Sequence, residues 1–252
     1  MLPPEFLSRP LAHRGLHALA NGIAENSRAA VRAAIDHGYG IEIDLQMTAD
    51  HAAVVFHDYT LERLTGGVGH VRKRTRADLA TLRLTGADET VPDFPEILDL
   101  VAGRVPLLVE LKDQDGKLGE NVGALEAAVA RDLEGYAGPV AVMSFNPHSV
   151  SALQTLAPDL PRGLVTDDFT SDYWDAPETR KEALSRIEDF DRVGASFISH
   201  NRQHLNMPAV ADLKRRGVPV LCWTVRSAEE ETVARRVADN ITFEGYFPSP
   251  AP

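Results

Sequence analysis

His13-Arg14 closes one short apolar segment, Glu42 and Asp44 alternate with Ile41, Ile43 and Leu45 in a second, and Glu110 and Lys112 alternate with Val109 and Leu111 in another. A further apolar run, Ala53–His57, ends in His57-Asp58. Successive side chains of a strand point to opposite faces, so Glu42 shares a face with Asp44, and Glu110 shares one with Lys112. Where those faces meet, three carboxylates repel one another and lose solvation unless a cation neutralises them. All-oxygen ligation by Glu42, Asp44 and Glu110 suits one hard divalent cation, Mg²⁺ or Ca²⁺. Zinc is disfavoured, because Cys222 is the only cysteine and the two histidines serve better as proton carriers. Arg14 adds a planar fork and Lys112 a point charge, which together favour a phosphate bound beside the metal. Cleavage of a phosphate ester needs a base for the nucleophile and an acid for the leaving oxygen, and His13 and His57 can do both near pH 7.

These residues need a scaffold that gathers strand ends. Candidate strands fall at Pro10–His13, Gly40–Met47, Val105–Lys112, Val140–Phe145, Arg162–Val165, Ala195–Ser199, Val218–Val225 and Ile241–Glu244. Candidate helices between them fall at about Ser27–His37, Pro95–Val101, Glu120–Glu134, Pro147–Leu156, Glu178–Arg192, Pro208–Arg216 and Ala228–Ala238. Eight strands alternating with seven helices predict an α/β fold, a (β/α)8 TIM barrel, whose strand ends share one mouth. Only Gly245–Pro252, with three prolines, follows the last strand, so the last helix is expected to be truncated or missing. The whole of 1–252 is expected to form a single catalytic barrel. Asn26-Ser27 and Gly38 punctuate the first helix as N-terminal and C-terminal caps.

Ala53–His57 breaks the alternation. It follows the second strand after Thr48–Ala52 only, too short for a parallel crossover, so the two must form an antiparallel hairpin. A two-residue tip at Asp50-His51 sets Asp44 opposite His57. Residues 58–92 are polar, with a glycine-rich Thr65–Gly69 and a short helical candidate at Arg76–Leu82, and read as a small insertion over the mouth.

Composition bounds the partners. Lys and Arg total 26 against 37 Asp and Glu, a formal charge of −11, so affinity for nucleic acid or anionic lipid is not expected. One cysteine excludes an intrachain disulfide framework and fits a reducing compartment. With no run of 18 apolar residues and no basic-then-apolar start, the expectation is a cytoplasmic protein without stable membrane association. Its oligomeric state is not legible.

The ordered set of segments resembles the glycerophosphodiester phosphodiesterases of the phosphatidylinositol-phospholipase-C-like barrel superfamily. The resemblance covers most of the chain. It is carried by Leu11–Gly15, Glu25-Asn26-Ser27, Glu42–Thr48, Val55–Asp58, Leu61–Gly66, Val91–Leu98, Glu110-Leu111-Lys112, Ser144-Phe145 and Cys222–Val225. It implies a metal-dependent hydrolase that releases an alcohol and sn-glycerol 3-phosphate from a small glycerophosphodiester. It implies metal ligation by Glu42, Asp44 and Glu110, acid and base roles for His13 and His57, and phosphate contacts from Arg14 and Lys112. Asn26, Phe145 and Trp223 are the further substrate contacts expected, the last two from the mouth ends of their strands. Three departures stand out: Ser27 where the family usually has threonine, His51 where it usually has glycine, and Thr242-Phe243-Glu244-Gly245 where it usually has Thr-Asp-aromatic-Pro. The alternatives are a lysophospholipase-D or sphingomyelinase-D-like phosphodiesterase with the same site, and a non-catalytic phosphodiester-binding barrel. Glu42 and Asp44 in plain ion pairs with Arg14 and Lys112 would be the structural reading. Of the other histidines, His200 is the one placed to reach the mouth. Cys222 reads as core, and Arg72-Lys73-Arg74 as a solvated face.

Overall fold

The computed structural model describes residues 1–171 and 174–249. In chain order the first elements are α1 (Glu5–Ser8), β1 (Leu11–Ala12), α2 (Arg28–Asp36), β2 (Gly40–Met47), β3 (Ala53–Val55), α3 (Arg76–Leu79) and α4 (Phe94–Val101). Then come β4 (Leu107–Leu111), α5 (Ala124–Asp132), β5 (Val140–Ser144), α6 (Pro147–Leu156), β6 (Arg162–Thr166) and α7 (Glu178–Ser185). The last are β7 (Phe197–Asn201), α8 (Pro208–Arg215), β8 (Val220–Val225), α9 (Ala228–Ala234) and β9 (Asn240–Phe243). All strands but β3 are parallel, in the order β1-β9-β8-β7-β6-β5-β4-β2, and β1 pairs with β2 to close the ring. The fold is therefore a (β/α)8 TIM barrel.

Alternation along the strands sorts the two cores. Ile41, Ile43, Leu45, Val109, Leu111 and Val142 face outward and pack with Val31, Ile97, Val129 and Leu153 of the covering helices. Leu11, Leu108, Ala141, Met143, Val165, Phe197 and Leu221 fill the barrel interior. Gly163 belongs to that interior for a steric reason: a Cβ there would lie 2.5 Å from the ring of buried Phe197. α1, absent from the expected elements, plugs the floor with Leu2 and Phe6. Asn240 of β9 holds this plug, donating to the carbonyls of Phe6 at 2.8 Å and Arg9 at 2.6 Å. An apolar plugged floor leaves the opposite end as the place where polar side chains can gather.

Local signals act where the sequence places them. The Ser27 hydroxyl accepts from Ala30 N at 3.1 Å to start α2, and Asp93 and Glu96 cap α4 reciprocally. Two expected helices are shorter than their sequence pattern: Glu120–Glu134 forms only Ala124–Asp132, and Glu178–Arg192 stops at Ser185 before a run of turns. The expected strand Ala195–Ser199 runs instead from Phe197 to Asn201, which carries Asn201 to the mouth.

The hairpin register corrects the expected one. Leu45 pairs with Val55, Gln46 with Val54 and Met47 with Ala53, so Phe56, not His57, lies opposite Asp44 and donates its N–H to the Asp44 carbonyl at 2.9 Å. The turn has three residues, Ala49-Asp50-His51, because Thr48 N already bonds the Ala52 carbonyl at 3.0 Å. His51 takes a left-handed φ of 58° as the last of them, which is the third position of a three-residue hairpin loop. Beyond it, Val54 and Phe56 pack with Leu61, Val71, Leu79, Leu84 and Val91, an apolar cluster that the 58–92 segment builds against the hairpin. After β9, residues 244–249 form no helix, and Tyr39 Oη donates to the Pro248 carbonyl at 2.8 Å; the rest of the expected helix-free tail, 250–252, lies outside the described residues.

A β-carbon disfavours the left-handed conformation that His51 adopts. His51→Gly should therefore raise the unfolding free energy by about 0.5–1 kcal/mol, net of the entropy that glycine adds to the unfolded chain. Denaturant unfolding checks this, and a less stable glycine variant would show that the His51 side chain stabilises the turn.

Candidate active site

The end of β1 is a pivot. His13 N donates to the Phe243 carbonyl at 2.9 Å, and the next two residues turn through positive φ, 56° at Arg14 and 75° at Gly15. A Cβ on Gly15 would come 2.8 Å from Ala30 of α2, so only glycine lets the chain pass this close to the helix start. The turn aims the Arg14 amide at Glu42, whose Oε2 accepts it at 3.0 Å.

Glu42 and Asp44 from β2 and Glu110 from β4 meet just inside. Each offers a carboxylate oxygen within 4.8 Å of the others, and all three residues are buried. Lys112 Nζ bridges Asp44 Oδ1 at 2.8 Å and Glu110 Oε1 at 2.6 Å. Asn26, also buried, grips Asp44 from the other side: its Nδ2 donates to Asp44 Oδ2 at 2.9 Å and its Oδ1 accepts from Asp44 N at 3.3 Å. Burial opposes the charge on Asp44, yet Lys112, His57 and Arg14 hold it well below the usual carboxylate range. Burial likewise opposes the Lys112 ammonium, but Asp44 and Glu110 keep it above the ordinary lysine value. Glu42 is left over: burial, then Asp44 and Glu110, push it well above the ordinary value. Lys112 and Arg14 do not balance three carboxylates, and the all-oxygen donor set with its uncompensated member fits a divalent cation. Glu42, Asp44 and Glu110 are the residues that could hold it.

Both predicted histidines face a carboxylate through Nδ1. His57 Nδ1 lies 2.7 Å from Asp58 Oδ1, and His13 Nδ1 lies 2.6 Å from Glu244 Oε2. Against a carboxylate Nδ1 carries the proton, which fixes the tautomer and leaves proton exchange to Nε2. Burial lowers the His13 pKa from 6.5, and the Glu244 hydrogen bond partly opposes that. Glu244 itself is held far below the carboxylate range, chiefly by the hydrogen bond from His13 and by His17, whose Nε2 lies 3.7 Å away, and Arg226 Nε donates to its other oxygen at 2.7 Å. Glu244 is the site residue that sequence reasoning missed. It sits in the departure at the end of the last strand, and that departure was its only signal.

A charged chain links the two sides. Arg14 donates to Glu25 Oε1 at 2.6 Å, and its Nε lies 3.4 Å from Asp44 Oδ2. Arg63 Nη1 donates to Glu25 Oε2 at 2.8 Å, and Arg63 Nε donates to Asp58 Oδ2 at 2.7 Å. Glu25 and Arg63 thereby connect the metal-facing Arg14 to the partner of His57.

Past Glu110 and Lys112 the mouth opens into a cavity of about 600 Å³ that His57, Phe145 and Trp223 also line. Trp223 Nε1 donates to the Ser199 carbonyl at 3.0 Å, which leaves its ring to form a wall. His200 does not reach the mouth: it is fully buried, 2.8 Å from Thr166 Oγ1 and 3.1 Å from the His204 carbonyl. Burial lowers its pKa to about 4, so it is a neutral clamp between β6 and β7. Cys222 is buried too, its thiol pushed up to about 12 by desolvation, which makes it inert core. Arg72 lies in the insertion and donates to the Gln114 carbonyl at 3.1 Å.

The chain is similar in sequence and fold to known proteins. The glycerophosphodiester phosphodiesterase of Caldanaerobacter subterraneus subsp. tengcongensis is 27% identical over 241 residues, covering 92% of this chain and 91% of that protein. Glycerophosphodiester phosphodiesterase 1 of Bos taurus is 23% identical over 258 residues, covering 92% of this chain and 76% of that protein. In fold, the chain matches a phosphodiesterase of Oleispira antarctica solved with the product sn-glycerol-3-phosphate, with a TM-score of 0.76 and 24% identity over 95% of this chain and 93% of that one. The family model of the glycerophosphoryl diester phosphodiesterases matches residues 13–240, from the first histidine to the start of β9, and the chain belongs to that family.

Proposed function

We propose that the protein hydrolyses glycerophosphodiesters to an alcohol and sn-glycerol 3-phosphate, with one divalent cation, Mg²⁺ or Ca²⁺, on Glu42, Asp44 and Glu110. The observation that carries this reading is the convergence of those buried carboxylates beside two histidines that each have a carboxylate on Nδ1. When bound, the cation polarises a phosphoryl oxygen and balances charge that builds on it. A cation held by Glu42, Asp44 and Glu110 would favour the ionised form of Glu42 and share the charge of these carboxylates with Lys112 and Arg14, the two residues whose cationic heads suit phosphate oxygens. Asn26 acts indirectly, by fixing the rotamer of Asp44.

Burial lowers the His13 pKa, which suits His13 to the role of base, taking the proton from the attacking oxygen at Nε2. Glu244 receives the Nδ1 hydrogen bond and stabilises the imidazolium that forms. His57, steadied by Asp58, delivers a proton to the leaving oxygen. Phe145 and Trp223 wall the substrate. The cavity also carries Asp113, Asp115, Asp167 and Asp175, which would be desolvated by an acyl chain, and this disfavours the lysophospholipid alternative. A purely binding barrel has no need of two orientated imidazoles. Among the described residues no helix is long and apolar enough to cross a membrane. The buried, unpaired Cys222 supports a reducing compartment, and on that ground we assign the activity to the cytoplasm.

Chelation should abolish release of glycerol 3-phosphate from glycerophosphocholine, and Mg²⁺ or Ca²⁺ should restore it. The same cation should raise the Tm, because it binds only the folded carboxylate cluster. Turnover that survives exhaustive chelation refutes the metal assignment. His13→Ala and His57→Ala should each lower kcat by about 10²–10⁴-fold while keeping the cation-induced rise in Tm; an unimpaired variant removes that histidine from the chemistry.

The pH dependence follows from His13. Its folded-state pKa lies below 6.5, so kcat/KM should fall as pH drops through that lowered value and His13 gains a proton. Glu244 raises the His13 pKa, so Glu244→Gln should move this acid limb to still lower pH, with a loss in kcat of about 10- to 100-fold from weaker orientation. A limb that stays in place or moves to higher pH assigns it to another group.

A further inference from the structure

The 600 Å³ cavity is lined by two kinds of group. His57, Glu110 and Lys112 belong to the ionisable site, and Phe145, Trp174 and Trp223 form aromatic walls. The rings brace one another, with centroids 4.9 Å apart for Phe145 and Trp174 and 5.6 Å apart at 82° for Phe145 and Trp223. Buried Phe169 backs them, 4.8 Å from Trp174. Asp113, Asp115, Asp167 and Asp175 stand among these rings. Asp113 accepts from Asn146 Nδ2 at 2.7 Å and Leu118 N at 3.1 Å, Asp115 from Lys117 N at 3.0 Å and Asn121 Nδ2 at 3.1 Å, and Asp167 from Asp168 N at 2.8 Å, so neutral donors hold these three carboxylates in place, and Asp175 is exposed. Lys112 is the only lysine or arginine among the described lining residues, and Asp44 and Glu110 hold its ammonium.

A wall of this kind discriminates by charge. Aromatic faces and carboxylates both attract a cation, and the attraction strengthens as water is excluded. A neutral polyol finds few hydrogen-bond donors among the rings, and an anion is repelled. A second pocket of about 140 Å³ shares Tyr59 and Asp115 with the first and is walled by Gln46, His70, Arg72 and Gln114. Its amides are paired within the protein, Gln46 Nε2 with the His57 carbonyl at 3.1 Å and Gln114 Nε2 with the Lys112 carbonyl at 2.6 Å, and Arg72 repels a cation.

We propose that the aromatic–carboxylate cavity is the subsite of the leaving alcohol, and that it selects diesters whose alcohol carries an ammonium group, of the choline or ethanolamine type, over neutral and anionic ones. This rests on the hydrolysis reading given above. Asp167, Asp175 and Trp174 are its specificity-determining residues.

Binding can be read without turnover, because the chain has two tryptophans and both line this cavity. Tetramethylammonium chloride should change their fluorescence saturably, whereas tert-butyl alcohol and sodium chloride should not. The paired substitution Asp167→Asn with Asp175→Asn should weaken the tetramethylammonium response on the order of 10-fold. Trp174→Leu, a second and independent variant, should do the same. In turnover, kcat/KM for glycerophosphocholine should exceed that for glycerophosphoglycerol on the order of 10-fold at low ionic strength, and the ratio should fall toward one in both variants. A variant that merely misfolds loses both activities together and keeps the ratio. Equal kcat/KM for the two diesters in the native protein, or equal responses to tetramethylammonium and tert-butyl alcohol, overturns the ammonium subsite. Failure to cleave either diester with any divalent cation overturns the hydrolysis reading instead, and the fluorescence titration then decides the cation subsite by itself.

Discussion

The mutual repulsion of Glu42, Asp44 and Glu110 is the constraint around which the rest of the molecule is arranged. At an effective dielectric constant of 20, two like charges 4 Å apart repel by about 4 kcal/mol, and these three are also cut off from water. No compact fold keeps such a group without counter-charges placed to match. Lys112 reaches its two partners because it lies two residues beyond Glu110, on the same face of one strand. Arg14 contributes its backbone amide to Glu42 and its guanidinium to Asp44, and it does both because the chain turns sharply at Gly15. The barrel suits this arrangement: it lets three separate strands end at one point while its floor stays apolar and closed by α1.

The histidines belong to the same charge system. His13 depends on Glu244, which the end of β9 supplies, and His57 depends on Asp58. Asp58 is itself anchored by Arg63, which shares Glu25 with Arg14. Each imidazole is thus orientated by a carboxylate, and each carboxylate is fixed by an arginine, since Arg226 does for Glu244 what Arg63 does for Asp58. The segment that departs from the family's Thr-Asp-aromatic-Pro pattern is the one that sets Glu244 against His13.

What the sequence revealed and what it concealed divide along one physical line. Period-two alternation is local, so the residue pattern by itself assigns Glu42 with Asp44 and Glu110 with Lys112 to inner faces, and their apolar neighbours to outer ones. The order of strands and helices then implies the barrel. Glu244 was not legible as the partner of His13 because the two are 231 positions apart, and only closure of β9 onto β1 brings them together. The hairpin register was off by one because a three-residue turn with His51 in a left-handed conformation has no glycine to announce it. Asn26 could be seen as part of a motif, but its burial against Asp44 is a property of how α2 docks on β2. The plug α1 is too short to show a period, and α7 stops early although helical spacing continues past Ser185.

The distribution of charge, more than its total, gives the acidic chain its relation to a phosphate. A net charge of −11 repels anions at a distance, so an anionic group gains access only where cations are concentrated at short range. Arg14 and Lys112 are such cations, paired with Asp44 and, for Lys112, also with Glu110, and Lys112 shares the cavity lining with the aspartates. On the proposed reading the sign alternates across the mouth: negative at the carboxylate cluster, positive at Arg14 and Lys112, and negative again along the aromatic wall. A zwitterion with a phosphate next to an ammonium group matches that sequence of signs along its length, whereas a diester with a neutral or anionic arm matches only part of it. Complementarity of this kind acts through orientation: the reversed pose would set ammonium against Lys112 and phosphate against the aspartates, so it is disfavoured at both ends.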